Sequence, residues 1–113
     1  MKNRLNYCIV HITAGSFPEA QTIAQTLVNE RLAACCTIIP AAHSYYRWEG
    51  QLQHEEESLI ICKTVESAFP DLERRVREIH SYDVPEMIMT LVTGGSEQYL
   101  DWVSSSVDAA RKN

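Results

Sequence analysis

Two long extended segments, joined at the dipeptide Glu49-Gly50, constrain this chain more than any other feature of its sequence. The stretch 35–64 reads CCTIIPAAHSYYRWEGQLQHEEESLIICKT, with about fourteen residues on each side of the dipeptide. At roughly 3.3 Å per residue, each segment is on the order of 45 Å long. A globule of this size has a radius of gyration of only about 13 Å, so the hairpin is too long for one small subunit.

The position of the turn predicts which residues of the two segments pair. Gly50 tolerates the positive φ of a tight hairpin turn. The predicted pairs are Trp48 with Gln51, Tyr46 with Gln53, Tyr45 with His54, and His43 with Glu56. Because side chains alternate between the faces of a strand, both faces of the hairpin carry aromatic groups near its tip.

The composition of the tip predicts self-association. A tip that projects into water has no need of large aromatic side chains, whereas aromatic residues and arginine are favoured anchors of protein interfaces. We therefore expect Tyr45, Tyr46, Arg47 and Trp48 to contact another copy of the chain. Pro40 cannot donate a ladder hydrogen bond and predicts an edge position or a bulge. The alternative is a hairpin that breaks at Pro40 and leaves a short mobile tip.

The other segments complete an alternating order of elements. Hydrophobic periodicity predicts a first strand over 5–14, helices over 16–34 and 65–80, a fourth strand over 86–93 and a terminal helix over 96–112. Ser16 and Glu19 predict a capping box at the start of the first helix. This order is the split β-α-β plan of an α+β, ferredoxin-like fold. We expect one such domain over 1–113, with a long hairpin between its second and third strands and a C-terminal helix.

Composition excludes several classes of partner. The net charge is −5, whereas proteins that bind nucleic acids are usually basic, so we expect no nucleic-acid partner. No apolar run approaches the ~20 residues that cross a bilayer, and the N-terminal segment has neither the apolar length nor the cleavage site of a signal peptide. We therefore expect no membrane partner and a cytoplasmic location.

Cysteine spacing favours thiols over a metal site or a disulfide framework. The cysteines are Cys8, Cys35, Cys36 and Cys62, and they show neither a C-x-x-C pair nor zinc-ligand spacing. Cys35 and Cys36 are adjacent on a strand, so their side chains point to opposite faces and do not converge on one ion. A thiol enzyme would also need an orienting third group, which no motif supplies. We therefore expect four reduced thiols and no enzymatic activity.

Two groups of residues could bind a ligand. His43, His54 and Glu56 lie together on the paired strands, and imidazole with carboxylate suits Cu(II) or Zn; the alternative is a solvated acidic ribbon edge. His80, Tyr82 and Glu86 follow the second helix and could line a cleft at a subunit junction. The alternative there is structural, since a histidine is favoured at a helix C-terminus.

Five sequence blocks make the chain recognisable. In order and spacing, ERLAACCTIIP, SYYRWEG, ESLIICKT, HSYDVPE and YLDW resemble the CutA divalent-cation tolerance proteins over nearly the whole chain. The resemblance implies ferredoxin-like subunits that form a compact homotrimer through extended hairpins, similar in architecture to the PII signalling proteins. It also implies copper or other divalent-metal binding and tolerance, no firmly attached enzymatic reaction, and no cofactor needed for folding.

The expected site residues follow from these five sequence blocks and from the chemistry of the candidate side chains. We expect the metal ligands among His80, Glu86, His43 and His54, and a ligand cleft at Lys63, Tyr82 and Glu57, the last paired with Lys63 or with Arg47 of a neighbouring subunit. The chain departs from the family pattern at three positions: Ser81 replaces a frequent proline, Ile12 a cysteine and Ile79 a histidine. The alternative function is a trimer that binds a small molecule or signals to a protein without a physiological metal role.

Overall fold

A four-stranded antiparallel sheet with the strand order β2-β3-β1-β4 forms the centre of the computed structural model, which describes residues 5–111. The strands are β1 Tyr7–Ala14, β2 Cys35–Trp48, β3 Gln51–Val65 and β4 Met87–Leu91. The helices are α1 Phe17–Asn29, α2 Phe69–Ile79, α3 Glu97–Ser105 and α4 Asp108–Arg111, with a 3-10 turn at Glu66–Ala68. The element order confirms the predicted α+β, ferredoxin-like plan.

The main core lies between one face of the sheet and helices α1 and α2. Alternate residues of β1 point into it, and α1 contributes an apolar stripe at helical spacing. Its fully buried members include Cys8, Val10, Ile12, Ile23, Leu27, Ile60, Cys62, Leu72 and Val76. The opposite face of the sheet carries the other half of each strand, with Ile9 and His11 half-buried and Ile88 exposed. This second face, which we call the open face, has much less cover from helices.

Helix α1 starts as predicted but ends earlier. The Ser16 hydroxyl accepts a hydrogen bond from the Glu19 N–H at 3.2 Å, which is one half of the predicted capping box. The Glu19 carboxylate bonds to Ser81. The helix ends at Asn29 rather than at residue 34, because Arg31 adopts a left-handed φ of 59°. The Leu32 N–H then bonds to the Leu27 carbonyl at 2.9 Å, which is a Schellman ending. A Schellman ending usually has glycine at the left-handed position, which indicates the helix end in a sequence, but this chain has Arg31 there.

The C-terminal region also differs from the prediction. The terminal helix is interrupted at Ser106 and Val107, and only a short α4 follows. The Ser105 and Ser106 hydroxyls both donate to the Trp102 carbonyl at 2.9 Å, which is the local competition that makes serine a poor interior helix residue. The predicted end of this helix, Lys112, lies outside the described residues. Strand β4 is shorter than the predicted 86–93.

The hairpin register is as predicted. All four predicted pairs occur, and the turn residues Glu49 and Gly50 have φ values of 52° and 78°, as in a type I′ turn. A bulge falls between Ile39 and Ala42, where Pro40 and Ala41 together face Ser58 of β3. Pro40 therefore bends edge strand β2 without breaking it, and the alternative of a hairpin that ends at Pro40 is wrong.

The far part of the hairpin projects beyond the rest of the sheet. Strand β1 pairs with β3 only as far as Ser58, so residues 42–57 form a two-stranded ribbon that we call the distal hairpin. The chain measures 53 × 25 × 21 Å with a radius of gyration of 15.0 Å, against about 13 Å for a compact chain of this length. Residues 42–57 therefore have two faces available for contacts.

Candidate functional site

One face of the distal hairpin brings two histidines together. His43 Nδ1 and His54 Nε2 are 2.9 Å apart, and His43 Nε2 lies 4.0 Å from Glu56 Oε1. The Tyr45 ring stacks on His54 with centroids 4.3 Å apart and an interplanar angle of 5°. At 2.9 Å the two ring nitrogens are within hydrogen-bond distance, and an ion that bound both of them would replace this hydrogen bond. The structure thus makes neighbours of three candidate metal ligands, His43, His54 and Glu56.

The other face of the distal hairpin carries Tyr46 and Trp48. The Tyr46 hydroxyl donates to Glu55 Oε1 at 2.7 Å, and this hydrogen bond to a carboxylate raises the pKa of Tyr46. Trp48 is 62% exposed and Tyr45, on the first face, is 65% exposed. The four residues predicted to form an interface, Tyr45, Tyr46, Arg47 and Trp48, are therefore all at the surface of the single chain.

His80 is part of the structure of the loop after α2. Its side chain is completely buried, Nε2 donates to the Thr13 carbonyl at 2.7 Å, and Nδ1 accepts from the Tyr82 N–H at 3.0 Å. Both ring nitrogens are thus occupied, so a metal ion would first have to displace one of these hydrogen bonds. Glu86 is exposed. The prediction that His80 and Glu86 bind metal stays a prediction, and the geometry gives it less support than the pair on the distal hairpin.

Glu57 and Tyr82, two residues of the predicted ligand cleft, do meet. The Tyr82 hydroxyl donates to Glu57 Oε2 at 2.9 Å, and Glu57 is only 8% exposed. Burial and this carboxylate raise the pKa of Tyr82. Gly15 leaves the space for the phenol, because a Cβ at position 15 would lie 3.0 Å from the Tyr82 hydroxyl oxygen. Glu57 is thus paired within its own chain; the predicted pairing across subunits stays a prediction.

Lys63, the third residue of the predicted cleft, belongs to a different site. It lies six residues from Glu57 along β3, about 20 Å in an extended strand. Its ammonium donates to Thr37 Oγ1 at 3.1 Å and is 4.0 Å from Cys35 Sγ. Lys63 borders a groove of about 200 Å³ between α3 and the sheet, whose lining also includes Tyr7, Ile9, Val92, Gly95, Tyr99 and Leu100. The structure therefore separates the predicted cleft into two places.

Glu19 has a partner that the sequence did not indicate. Its carboxylate accepts hydrogen bonds from the Ser81 N–H at 2.8 Å and the Ser81 hydroxyl at 3.1 Å. Partial burial acts to raise the pKa of Glu19, but the two bonds from Ser81 and the nearby His80 outweigh it, and the pKa is lowered. The Glu19 carboxylate thus connects the start of α1 to the loop after α2, while the Glu19 backbone N–H bonds to the Ser16 hydroxyl.

Cysteines and acidic residues add no ready-made metal centre. Cys35 contacts Lys63 and Thr37, whereas Cys36 contacts Cys62, so adjacent thiols point to opposite faces as predicted. All four cysteines are free thiols. Within residues 5–111, no three side chains of histidine, cysteine, aspartate or glutamate are grouped closely enough to hold a metal ion. A metal ion would therefore find two imidazoles and a nearby carboxylate at best.

The fold and these sites together define a class of protein: a ferredoxin-like α+β domain with a projecting aromatic hairpin that carries two neighbouring histidines. A sequence profile of the CutA1 divalent ion tolerance protein matches residues 8–106. The chain therefore belongs to the CutA1 divalent ion tolerance family, and the resemblance of its sequence motifs is confirmed.

Individual relatives agree with this assignment. The divalent-cation tolerance protein CutA of Thermus thermophilus is 45% identical over 95 residues, 84% of this chain and 92% of that protein. The chloroplastic protein CutA of Arabidopsis thaliana is 41% identical over 98 residues, 87% of this chain and 54% of that protein. A solved structure of the divalent cation tolerance protein from Thermus thermophilus has a TM-score of 0.88 at 42% identity, covering 89% of this chain and 98% of that one.

The location of the protein stays a prediction. No helix within the described part of the chain is long and apolar enough to cross a bilayer. One relative is named as chloroplastic and a solved relative as periplasmic, so membership of the family does not select the cytoplasm.

Replacing Tyr82 by Phe tests the pairing of Glu57. The variant leaves a buried carboxylate without its phenol donor, so we expect the free energy of unfolding to fall by about 1–3 kcal/mol. In a Glu57→Gln background the same change should cost less, because the amide is uncharged. Urea unfolding of the four proteins measures this coupling; equal losses from Tyr82→Phe in both backgrounds would contradict the pairing.

Replacing Ser81 by Pro tests the Glu19 contact. His80 has an extended backbone, with φ −81° and ψ 143°, which is compatible with a following proline, but the proline removes both donors to Glu19. Because the pKa of Glu19 is lowered in the folded state, its contribution is present at neutral pH and lost on acidification. We expect Ser81→Pro to lower the free energy of unfolding by about 1–2 kcal/mol at pH 7. Between pH 5 and pH 3, the variant should lose less of its free energy of unfolding than wild type does.

Ser81→Ala is the matched control, because it keeps the N–H donor and should fall between the two proteins. Thermal unfolding across this pH range provides the measurement. Parallel pH profiles for Ser81→Pro and wild type would show that Glu19 does not depend on Ser81.

Proposed function

We propose that this chain is the subunit of a homotrimer that binds divalent metal ions, copper first among them, and serves tolerance to those ions without catalysing a reaction. The observation that carries the proposal is the 2.9 Å pair of His43 and His54 on the projecting hairpin, in a member of the divalent ion tolerance family. Relatives bear the name divalent-cation tolerance protein.

The chemistry of the histidine pair favours copper. Imidazole binds first-row divalent ions in the Irving–Williams order, so Cu(II) binds more tightly than Ni(II) or Zn(II). Two imidazole nitrogens, with the Glu56 carboxylate only nearby, leave the remaining coordination positions to water, so affinity should be modest. An imidazole nitrogen must be unprotonated to bind a metal ion, so binding should weaken as the solution becomes acidic.

The surface supports self-association. Tyr45, Trp48 and Leu52 of the distal hairpin are 65%, 62% and 75% exposed, and Ile88 on the open face is 55% exposed. Exposed apolar patches mark interaction surfaces, so these side chains support contact with another copy of the chain. A ring of copies would cover the hairpins and the edge strand β2 together, and a closed ring of three is the arrangement that the family resemblance implies.

Binding without catalysis agrees with the position of the candidate base. His80 donates to the Thr13 carbonyl and accepts from the Tyr82 N–H, so neither nitrogen is available to activate a thiol such as Cys35. The histidines of the distal hairpin contact each other instead. The proposed role in metal tolerance therefore depends on how tightly the protein binds the ion and requires no catalytic base.

A second candidate function rests on the Lys63 groove. No carboxylate of the described residues forms an ion pair with Lys63, and its ammonium borders a largely apolar groove formed with Tyr99 and Leu100. An apolar pocket with one cation suits a small amphipathic anion. In this case the trimer would bind a small molecule as a signal, with no physiological metal role.

Calorimetry with Cu(II) distinguishes these functions. We expect wild type to bind Cu(II) with modest affinity, His43→Ala with His54→Ala to lose at least tenfold, and His80→Ala to lose little if it folds. His11→Ala, a change on the open face, is the control. Removing metal with a chelator should leave the far-ultraviolet circular dichroism spectrum unchanged. Equal Cu(II) affinity of all four proteins would reject the hairpin site, and no binding by wild type would favour the small-molecule function.

Light scattering at micromolar concentration tests the assembly. We expect a mass three times the 12.8 kDa of one chain. Replacing both Tyr46 and Trp48 by Ala should dissociate the trimer, because truncating a large aromatic at a buried interface costs about 3–5 kcal/mol. Phe17→Ala, an exposed aromatic on α1 that is 43% exposed, should leave the mass unchanged. A monomeric wild type, or a double variant that stays trimeric and equally heat-resistant, would contradict the proposed interface.

A further inference from the structure

Two thiols face each other near the base of the hairpin. Cys36 of β2 and Cys62 of β3 are directly opposite in the strand register, and their sulfurs are 3.4 Å apart. Cys62 is fully buried and Cys36 is half-buried, on the face of the sheet that α1 and α2 cover. Neither thiol belongs to the histidine pair, the aromatic tip or the Lys63 groove.

The backbone already has the spacing of a disulfide. Directly opposed residues of an antiparallel pair have Cα atoms about 4.5–5.5 Å apart, which lies within the disulfide range of about 4.4–6.8 Å. A bond of about 2.05 Å requires the sulfurs to approach by roughly 1.4 Å, a movement that side-chain rotation can provide. Strand pairing therefore holds the two thiols ready to join without rearranging the sheet.

We propose that Cys36 and Cys62 are a dithiol–disulfide couple that reacts with small disulfides of the glutathione type. The Cys36 thiolate attacks one sulfur of the small disulfide, which releases one thiolate and leaves a mixed disulfide on Cys36. The Cys62 thiol then attacks Cys36 Sγ and gives up its proton to the departing thiolate, which is released as the second small thiol. In total, two protein thiols and one small disulfide give one protein disulfide and two small thiols.

The surroundings assign the first step to Cys36. The sulfur–sulfur hydrogen bond with Cys36, together with burial, raises the pKa of Cys62. Cys62 is also inaccessible to a small disulfide in solution, whereas Cys36 is partly exposed. Cys8, the other fully buried thiol, has its pKa raised to about 11 by burial and by Glu66 and is expected to stay reduced.

The bond would act on the base of the hairpin. It would join edge strand β2 to β3 and close a loop that contains the whole distal hairpin, which restricts the unfolded chain. The oxidised protein should therefore unfold at a higher temperature than the reduced protein. Through this bond, the thiol–disulfide balance of the surroundings would set the stability of the strands that position the histidine pair.

Incubating reduced protein with excess glutathione disulfide tests the proposal. We expect the intact mass to fall by two hydrogen atoms, two of the four thiols to become unreactive, and unreduced peptides to show a Cys36–Cys62 link. Cys35→Ser, which removes the neighbouring thiol, should oxidise in the same way. Cys36→Ser should form no protein disulfide and gain no thermal stability from the treatment. Cys62→Ser should stop at a mixed disulfide on Cys36, because the second thiol is missing, and should gain no thermal stability either.

Three results would overturn the proposal. Wild type could keep four reactive thiols, its bond could join Cys35 to Cys36, or Cys36 could stay in a mixed disulfide with glutathione. Since Cys36 is only half-buried, its serine variant should fold, and the test does not depend on the buried Cys62 variant.

Discussion

The pairing of β2 with β3 is the interaction on which the rest of the structure depends. Its register is fixed by the type I′ turn at Glu49-Gly50 and by the bulge at Pro40 and Ala41. A slip by one residue would turn every side chain to the opposite face, separating His43 from His54 and Cys36 from Cys62. The same ladder thus positions the candidate metal ligands, the aromatic tip and the facing thiols.

A second set of contacts connects the body of the subunit to the hairpin. His80 bonds to Thr13 of β1 and to the backbone of Tyr82, and the Tyr82 phenol in turn bonds to Glu57. These groups are largely buried, and buried polar groups are costly unless paired. The contacts explain a histidine, a tyrosine and a carboxylate in these positions without a ligand, which makes the exposed pair on the distal hairpin the better candidate for binding an ion.

The proposed interface and the candidate metal ligands lie together on the distal hairpin. Tyr45 stacks on His54 and is also one of the residues proposed for the interface. An assembly that buried Tyr45 would therefore restrict the ring of His54, and metal binding and self-association would influence each other. Such coupling between a ligand and an interface is reciprocal, because each changes the free energy of the other by the same amount.

The sequence by itself determined the element order and the hairpin register, and it indicated an edge position or a bulge at Pro40. These follow from local rules: side-chain period, turn chemistry and the missing proline donor. Local rules could not place the end of α1 at Asn29, since a Schellman ending with Arg31 in place of glycine leaves no sequence signal. Nor could they show that Glu57 meets Tyr82, that Lys63 lies at a separate groove, or that Glu19 accepts from Ser81. Those contacts join residues 25 to 62 positions apart, and only the packing of the helices on the sheet decides which of many polar groups come within hydrogen-bond distance.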